Sequence, residues 1–373
     1  VFYRNQDHRT AQGLCQKQDS RWLIHNPPAT PLTEAEMDDV HGMDFARAVH
    51  PSHRRDGEVR ALETVRFSIA THRGCYGGCH FCAIAVHEGR QVSSRSETSI
   101  LREAELLASL PGFHGRILDV GGPTANMYGF ECRKKLLLGA CPDRNCLYPD
   151  VCENLRPDHR RQIALLRKLR EVPGVKQAIV ASGIRYDILL ADRKYGVPYL
   201  REVVRHHVSG QMKVAPEHSE EKVLRCMGKP GIASLLAFRD LFFKLTAEAG
   251  KEQFLTYYLI AAHPGCTQAD MEGLRRFAVR QLALQPEQVQ LFTPTPATIS
   301  TLMYHAGRDP WSGRRLFVEK TAAGRELQKK ILVAKNGRFG YVNREHRQIT
   351  REENPWAKTR TSKKTPRKNL PKR

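Results

Sequence analysis

The sequence predicts an α/β fold built on parallel strands, and two observations carry that expectation. Beyond Glu63, six short apolar runs (TVRFSIA, GRILDV, KQAIVAS, QMKVAPE, QFLTYYLI and QVQLFTP) alternate with five segments of amphipathic helical period. Strict alternation of this kind implies parallel pairing through right-handed crossovers, in an open doubly wound sheet or a barrel. Polar placement then selects the barrel. Cys75, Gly121, Ser182, Lys213, Glu217 and His263 all fall at or just beyond the C-terminal ends of predicted strands, the rim where such barrels hold their active sites.

Taken in order, residues 1–60 read as a connector. In NPPATPLTEAEMDDV, Thr33 is an N-cap and Glu36, three positions on, completes a capping box before a short helix. The chain opens on Val1 with polar, unpatterned residues, so the natural chain is expected to begin further upstream. Residues 61–296 carry the strands, with helices in SETSILREAELLASL, DHRRQIALLRKLREV, YLREVVRHHV, SLLAFRDLFFKLTAEAG and ADMEGLRRFAVRQLAL. A Cys-rich insertion, 130–156, interrupts them after the second strand. After Pro296 the alternation stops. Residues 297–345 read as a small C-terminal extension with one helix, in AAGRELQKKILVAK, and 346–373 as a basic disordered tail.

Composition bounds the function. With 373 residues, 40% hydrophobic and 27% charged, the chain can bury a real core and is not a disordered protein. No apolar run approaches the roughly 18 residues of a spanning helix, and no signal peptide is recognisable, so no membrane is expected and the expected location is cytoplasmic. Ten cysteines in such a chain point to reduced thiols in metal or catalytic use. The net charge of +21 points toward nucleic acid or another polyanion, yet Arg351–Arg373 holds nine Lys/Arg against two acids, +7 of that total, and the remaining +14 is spread over 350 residues. Charge therefore favours an RNA substrate only weakly.

The cysteines cluster. In THRGCYGGCHFCAI, Cys75, Cys79 and Cys82 lie within eight positions, too close for a disulfide framework and odd in number. Gly77 and Gly78 let the chain fold tightly around an object while turning amides toward it. Three thiolates suit a 4Fe-4S cluster with one iron left open. Zinc fits poorly, because no fourth ligand stands at finger distance and His80, between two of the cysteines, would have to point the other way.

The pattern C-x3-C-x-aromatic-C, as Cys75, Cys79, Phe81 and Cys82 after a first strand, resembles the signature of the radical S-adenosylmethionine (radical SAM) superfamily. Together with HEGR, SSRS, DVGGPTANMYG, ASGIRYD, KVAPEH, MGKPG, YLIAAHPGC and FTPTPATISTLMY, it resembles the YgiQ family of radical SAM proteins over roughly residues 15–335. The resemblance implies a further N-terminal domain upstream of Val1 and a partial (β/α) barrel of radical SAM type in which Cys75, Cys79 and Cys82 ligate the cluster. It implies S-adenosyl-L-methionine as cofactor, a flavodoxin-like or ferredoxin-like electron donor, and a 5′-deoxyadenosyl radical acting on an unknown substrate. Phe81 would meet the adenine. Gly121 and Gly122 would meet the methionyl amine, although Pro123 replaces the family's acid, leaving Thr124 or Asn126 to supply polar groups. Ser182 and Arg185 would contact the ribose and the methionyl carboxylate. Lys213, Glu217, His218 and His263 are candidates for positioning substrate or moving a proton.

A second set, Cys132, Cys141, Cys146 and Cys152, is expected to hold zinc or a second iron-sulfur cluster, or to remain as free thiols. The alternative for the whole protein is a metal-stabilised nucleic-acid-binding protein without turnover. It makes no use of an open coordination site, and no RRM, KH or zinc-knuckle pattern is present.

Overall fold

The computed structural model describes residues 5–333. The connector is more structured than its composition suggests. Strands β1 (Leu14–Gln18) and β2 (Arg21–His25) form an antiparallel hairpin with Gln18 opposite Arg21, and the turn residue Asp19 takes a left-handed φ of 52°. The helix Glu34–His41 begins where the capping box places it: the Glu36 N–H donates to Thr33 Oγ1 (3.2 Å) and the Thr33 N–H to Glu36 Oε2 (2.8 Å).

The six predicted strand regions are present as short parallel segments. They comprise β3 (Ser68–Ala70), which β4 (His72–Arg73) and β5 (Ser93–Ser94) extend as an antiparallel pair, then β6 (Arg116–Ile117), β7 (Asp119–Gly121), β8 (Gln177–Ala178), β9 (Gln211–Glu217), β10 (Phe254–Ala261) and β11 (Gln290–Leu291). Their neighbours follow chain order. β7 pairs with β3, β6 with β8, and β10 with both β9 and β11, all parallel. Single bonds join the pieces: the Val120 N–H donates to Ile179 O (2.7 Å), and the Ile184 N–H to Lys213 O (3.0 Å) in a parallel bridge with Val214. β6 and β7 act as one strand that changes partner at Leu118, whose N–H turns to Phe67 O (2.9 Å). The fold is thus mixed α/β with small sheets. Among the described residues no ladder joins β11 to β3, so a closed barrel is not shown.

All five helices expected from amphipathic period form, as Glu97–Ser109, Arg160–Glu171, Gly196–His206, Ala233–Glu248 and Gln268–Leu282. Their apolar stripes pack on one face of the strands. Ile100, Leu107, Leu165, Leu169, Val203, Phe238 and Phe242 share a core with Ile69, Val120, Met212 and Val214, each large side chain contributing roughly 1.5–3 kcal/mol on burial. Because side chains alternate along a strand, Met212 and Val214 facing that core put Lys213, Ala215 and Glu217 on the opposite face. The C-terminal extension holds two helices where one was expected. Ile299–Ala306 is capped by Thr298, and Ala322–Val333 packs against Gln268–Leu282. There Gln328 is fully buried, accepting from the Ala262 N–H (3.0 Å) and donating to Cys266 O (3.0 Å). The basic tail lies outside the described residues. No helix among the described residues is long and apolar enough to cross a membrane.

Candidate metal and cofactor site

The three-cysteine loop leaves the end of β4 through Gly74, whose φ of +96° and approach to Gln91 O leave no room for a side chain. The Gly74 N–H donates to Glu88 Oε2 (3.1 Å) and the Cys75 N–H to Gly89 O (3.1 Å), which ties the loop to the chain that follows it. Beneath the loop, Arg95 is wholly buried, donating to Ala70 O (2.9 Å), Ser99 and Glu103.

Within the loop two of the sulfurs close on Gly77. A methyl group there would sit 3.3 Å from Cys75 Sγ, 3.5 Å from Cys79 Sγ and 3.3 Å from Arg185 Nη1. The Gly77 N–H donates to Cys75 Sγ (3.3 Å), the Thr124 hydroxyl lies 3.9 Å from the same sulfur, and Arg185 Nη1 donates to Cys79 Sγ (3.6 Å). Burial pushes the Cys82 thiol up to about 12 and also raises Cys75, with the neighbouring sulfurs adding to both shifts. Thiols held this close resist ionising alone and release their protons when a cation binds them. His80 does point the other way. Its ring donates to Cys226 O (2.9 Å), its N–H to Met227 O (2.9 Å), and its carbonyl accepts from the Ser300 N–H (2.9 Å). Cys79 and Cys82 line a small surface pocket with Gln6, Gly78, Val86, Arg90 and Thr298.

The other predicted residues are brought to this neighbourhood unequally. Gly121 approaches Ser182, and Gly122 approaches the His72 ring, so closely that a Cβ at Gly122 would lie 2.7 Å from it. The Ser182 hydroxyl donates to Asp119, whose carboxylate also accepts from the Ala181 and Ser182 N–H groups (2.8 and 3.0 Å). The Phe81 ring packs on the cluster of Met227, Leu259 and Phe292, edge-on to His263, which leaves its backbone for a ligand. Arg185 is buried, with Nε on Asp187 Oδ1 (2.9 Å) and Nη2 on Oδ2. Asn126 clamps its backbone in both directions, accepting from the Arg185 N–H (2.8 Å) and donating to its carbonyl (3.0 Å). Behind Asn126, His159 accepts at Nε2 (3.3 Å) and donates from Nδ1 to Asp192 (2.7 Å).

Glu217, in a left-handed φ of 69°, is buried on the side facing Cys82 and Arg185. Burial raises its pKa against the pull of Lys229, whose ammonium stands 4.0 Å away. His218 and His263 are buried with both ring nitrogens engaged. His218 accepts from the Glu220 N–H (3.1 Å) and faces Cys266 Sγ (3.5 Å); His263 donates to Pro264 O (2.8 Å) and accepts from the Ser300 hydroxyl (2.7 Å). Burial depresses both, to about 4 and about 3. Half-buried Lys213 contributes its carbonyl to the sheet. Asp119, Asp187, His159 and Asp192 were not singled out from the sequence. Each acts through a partner distant in the chain or within a six-residue helix, so no spacing announces it.

The insertion covers the loop from one side. Arg90 donates to Cys141 O (3.2 Å) and Arg144 O (2.8 Å), the Tyr76 hydroxyl to Phe130 O, and Asn145 Nδ2 to Gly78 O (3.4 Å). Cys132 and Cys146 border one apolar cluster with Tyr76 and Leu147, and the Cys152 N–H donates to Cys146 O (2.8 Å). Among the described residues no three Cys, His, Asp or Glu side chains converge at single-ion distance. A lone zinc, with Zn–S near 2.3 Å, needs such convergence; a four-iron cube holds its ligands further apart.

Residues 1–68 match the family described as Radical SAM N-terminal, and residues 287–336 a domain of unknown function, DUF3362. A UPF0313 protein of Fusobacterium nucleatum is 55% identical over 90% of this chain and 59% of its own length. One of Methanocella arvoryzae is 47% identical over 90% and 55%. The chain is thus similar to radical SAM proteins at its N-terminal end and to UPF0313 proteins over most of its length. It spans about half the length of the curated relatives it matches. Among solved structures, the radical S-adenosylmethionine methyltransferase TsrM from Kitasatospora setae, with cobalamin and a 4Fe-4S cluster bound, aligns over 71% of this chain and 46% of its own. Its identity is 14% and the TM-score 0.40, too low to establish a common fold.

Proposed function

We propose that the protein is a radical SAM enzyme whose six parallel strands form a partial barrel, with Cys75, Cys79 and Cys82 holding a 4Fe-4S cluster. The observation that carries this is the convergence on Gly77 of two thiols, a guanidinium and an amide aimed at sulfur. When bound, the cluster and S-adenosyl-L-methionine supply reductive cleavage of a carbon–sulfur bond and a 5′-deoxyadenosyl radical for hydrogen abstraction. The chain's own residues bind and orient. The backbones of Phe81, Gly121 and Gly122 would face the cofactor, Ser182 is held by Asp119 beside Gly121, and Glu217 brings a carboxyl to the Cys82 side. His218 and His263, both fully engaged, would shape the site rather than move protons. An external electron donor reduces the cluster, and the substrate class is open, with RNA favoured only by net charge.

Anaerobic reconstitution tests the proposal, with iron, sulfide and zinc counted per chain and 5′-deoxyadenosine assayed after dithionite reduction with S-adenosyl-L-methionine. About four irons with deoxyadenosine production support it; about eight would add a cluster at Cys132, Cys141, Cys146 and Cys152. Absence of any cluster would return the protein to the metal-stabilised nucleic-acid binder. Cys79→Ala is expected to abolish both cluster and cleavage, and full cleavage in that variant would overturn the ligand set. If the insertion binds metal, replacing Cys141 and Cys146 lowers metal content without removing the first cluster; unchanged iron and zinc would show that those thiols are not ligands.

A further inference from the structure

We propose that Arg185 is a positioning residue for the cluster itself: locked on Asp187, it aims its remaining nitrogen at the Cys79 sulfur and makes the cluster easier to reduce. This rests on the reading that the three thiols bind a 4Fe-4S cluster.

Three features support it. Asp187 takes Nε and Nη2, which leaves Nη1 to donate to Cys79 Sγ at 3.6 Å. The same Nη1 stands beside Gly77, next to which the Cys75 and Cys79 sulfurs also lie. The backbone is fixed as well, by both ends of the Asn126 amide, with His159 and Asp192 behind it. A two-nitrogen edge is what an arginine presents to a carboxylate, and here Asp187 already holds that edge. Arg185 is therefore built to face sulfur, not the methionyl carboxylate that the family resemblance assigns to it. Net charge and hydrogen bonds to the sulfurs set the potential of an iron-sulfur cluster, so a cation at this position favours the reduced form.

The test compares anaerobically reconstituted wild type with Arg185→Met, Arg185→Lys and Asp187→Asn. Iron and sulfide are counted, the midpoint potential is read by EPR-monitored titration, and S-adenosyl-L-methionine affinity by equilibrium dialysis. Arg185→Met is expected to lower the reduced-to-oxidised ratio at a fixed poise about tenfold, about 59 mV for a one-electron couple. Arg185→Lys should stay near wild type, and Asp187→Asn, which unmasks the cation, should shift the potential upward. An unchanged potential in the Met variant, with cofactor affinity lost, overturns the proposal and makes Arg185 a cofactor ligand. If the Met variant assembles no cluster, Asp187→Asn decides, and a wild-type potential there overturns it. Failure of the wild type to assemble a 4Fe-4S cluster is seen before any variant is compared; it removes the underlying reading, and the proposal with it.

Discussion

A single missing side chain organises the site. Gly77 is not in a left-handed conformation, so its requirement is for space rather than backbone freedom. Gly77→Ala would place a methyl 3.3–3.5 Å from two sulfurs and a guanidinium. The variant is expected to fold with near-wild-type circular dichroism yet bind substoichiometric iron after reconstitution; full iron occupancy would show that the cluster does not sit against Gly77. At this scale the sequence was partly legible. Cys75, Cys79 and Cys82 declare themselves because three ligands on one short loop must have a local spacing. The partners of Arg185 do not. Asp187 lies on the helix Tyr186–Ala191, too short to show a period, and Asn126 and His159 arrive from other loops. His218 and His263 were placed correctly past strand ends, but the direction of a side chain beyond a strand has no periodicity to read.

Among the elements, the five long helices were visible in their 3.6-residue period, and the strands as apolar runs bounded by turns. The helix Ile299–Ala306 was not, because TISTLMYHAG is apolar on most sides and only its Thr298 cap marks a start. That helix buttresses the cysteine loop through the Ser300 N–H on His80 O and through the Ser300 hydroxyl on His263. His263→Ala removes a buried ring with two hydrogen bonds and is expected to destabilise the protein by about 2–3 kcal/mol, measured as a lower urea midpoint. Ser300→Ala should cost less, about 1 kcal/mol, since the backbone bond to His80 survives. Equal losses in the two variants would mean that the ring packing against Phe292 and Phe81 contributes nothing.

Across the molecule, burial leaves five histidines neutral: His72, His80, His207 and His218 are depressed to about 4 and His263 to about 3. Each binds a proton in the unfolded chain below about 6.5 that the folded chain refuses. Their contribution is therefore whole above pH 6.5 and is lost as pH falls toward 4, each costing on the order of 1–3 kcal/mol. Glu217, with its raised pKa, acts in the opposite sense but is one group against five. Urea midpoints should hold from pH 7.5 to about 6.5 and fall from there toward pH 5, and His207→Gln should flatten the slope while lowering the plateau. A midpoint independent of pH over that range would refute the assignment of neutral buried rings. The strand order, one to six in sequence, was legible from alternation together with the polar residues at the strand ends, whereas closure was not, since the pairing of first and last strands is a long-range property that no local pattern encodes.

The attachment of the insertion carries one more consequence. On the insertion side three anchors are main-chain carbonyls, those of Phe130, Cys141 and Arg144, reached by the Tyr76 and Arg90 side chains, and three are side chains: Glu131 accepts from the Val92 N–H, Lys135 donates to Arg90 O and Asn145 to Gly78 O. Mutational tolerance is therefore uneven along the insertion. The identities of Phe130 and Arg144 can drift without cutting these bonds, but Arg90→Ala cuts two at once and should loosen the cover, seen as faster amide exchange across 141–146. Variation among homologous chains should accordingly accumulate at positions such as Arg144 and be restrained at Arg90, Glu131 and Lys135.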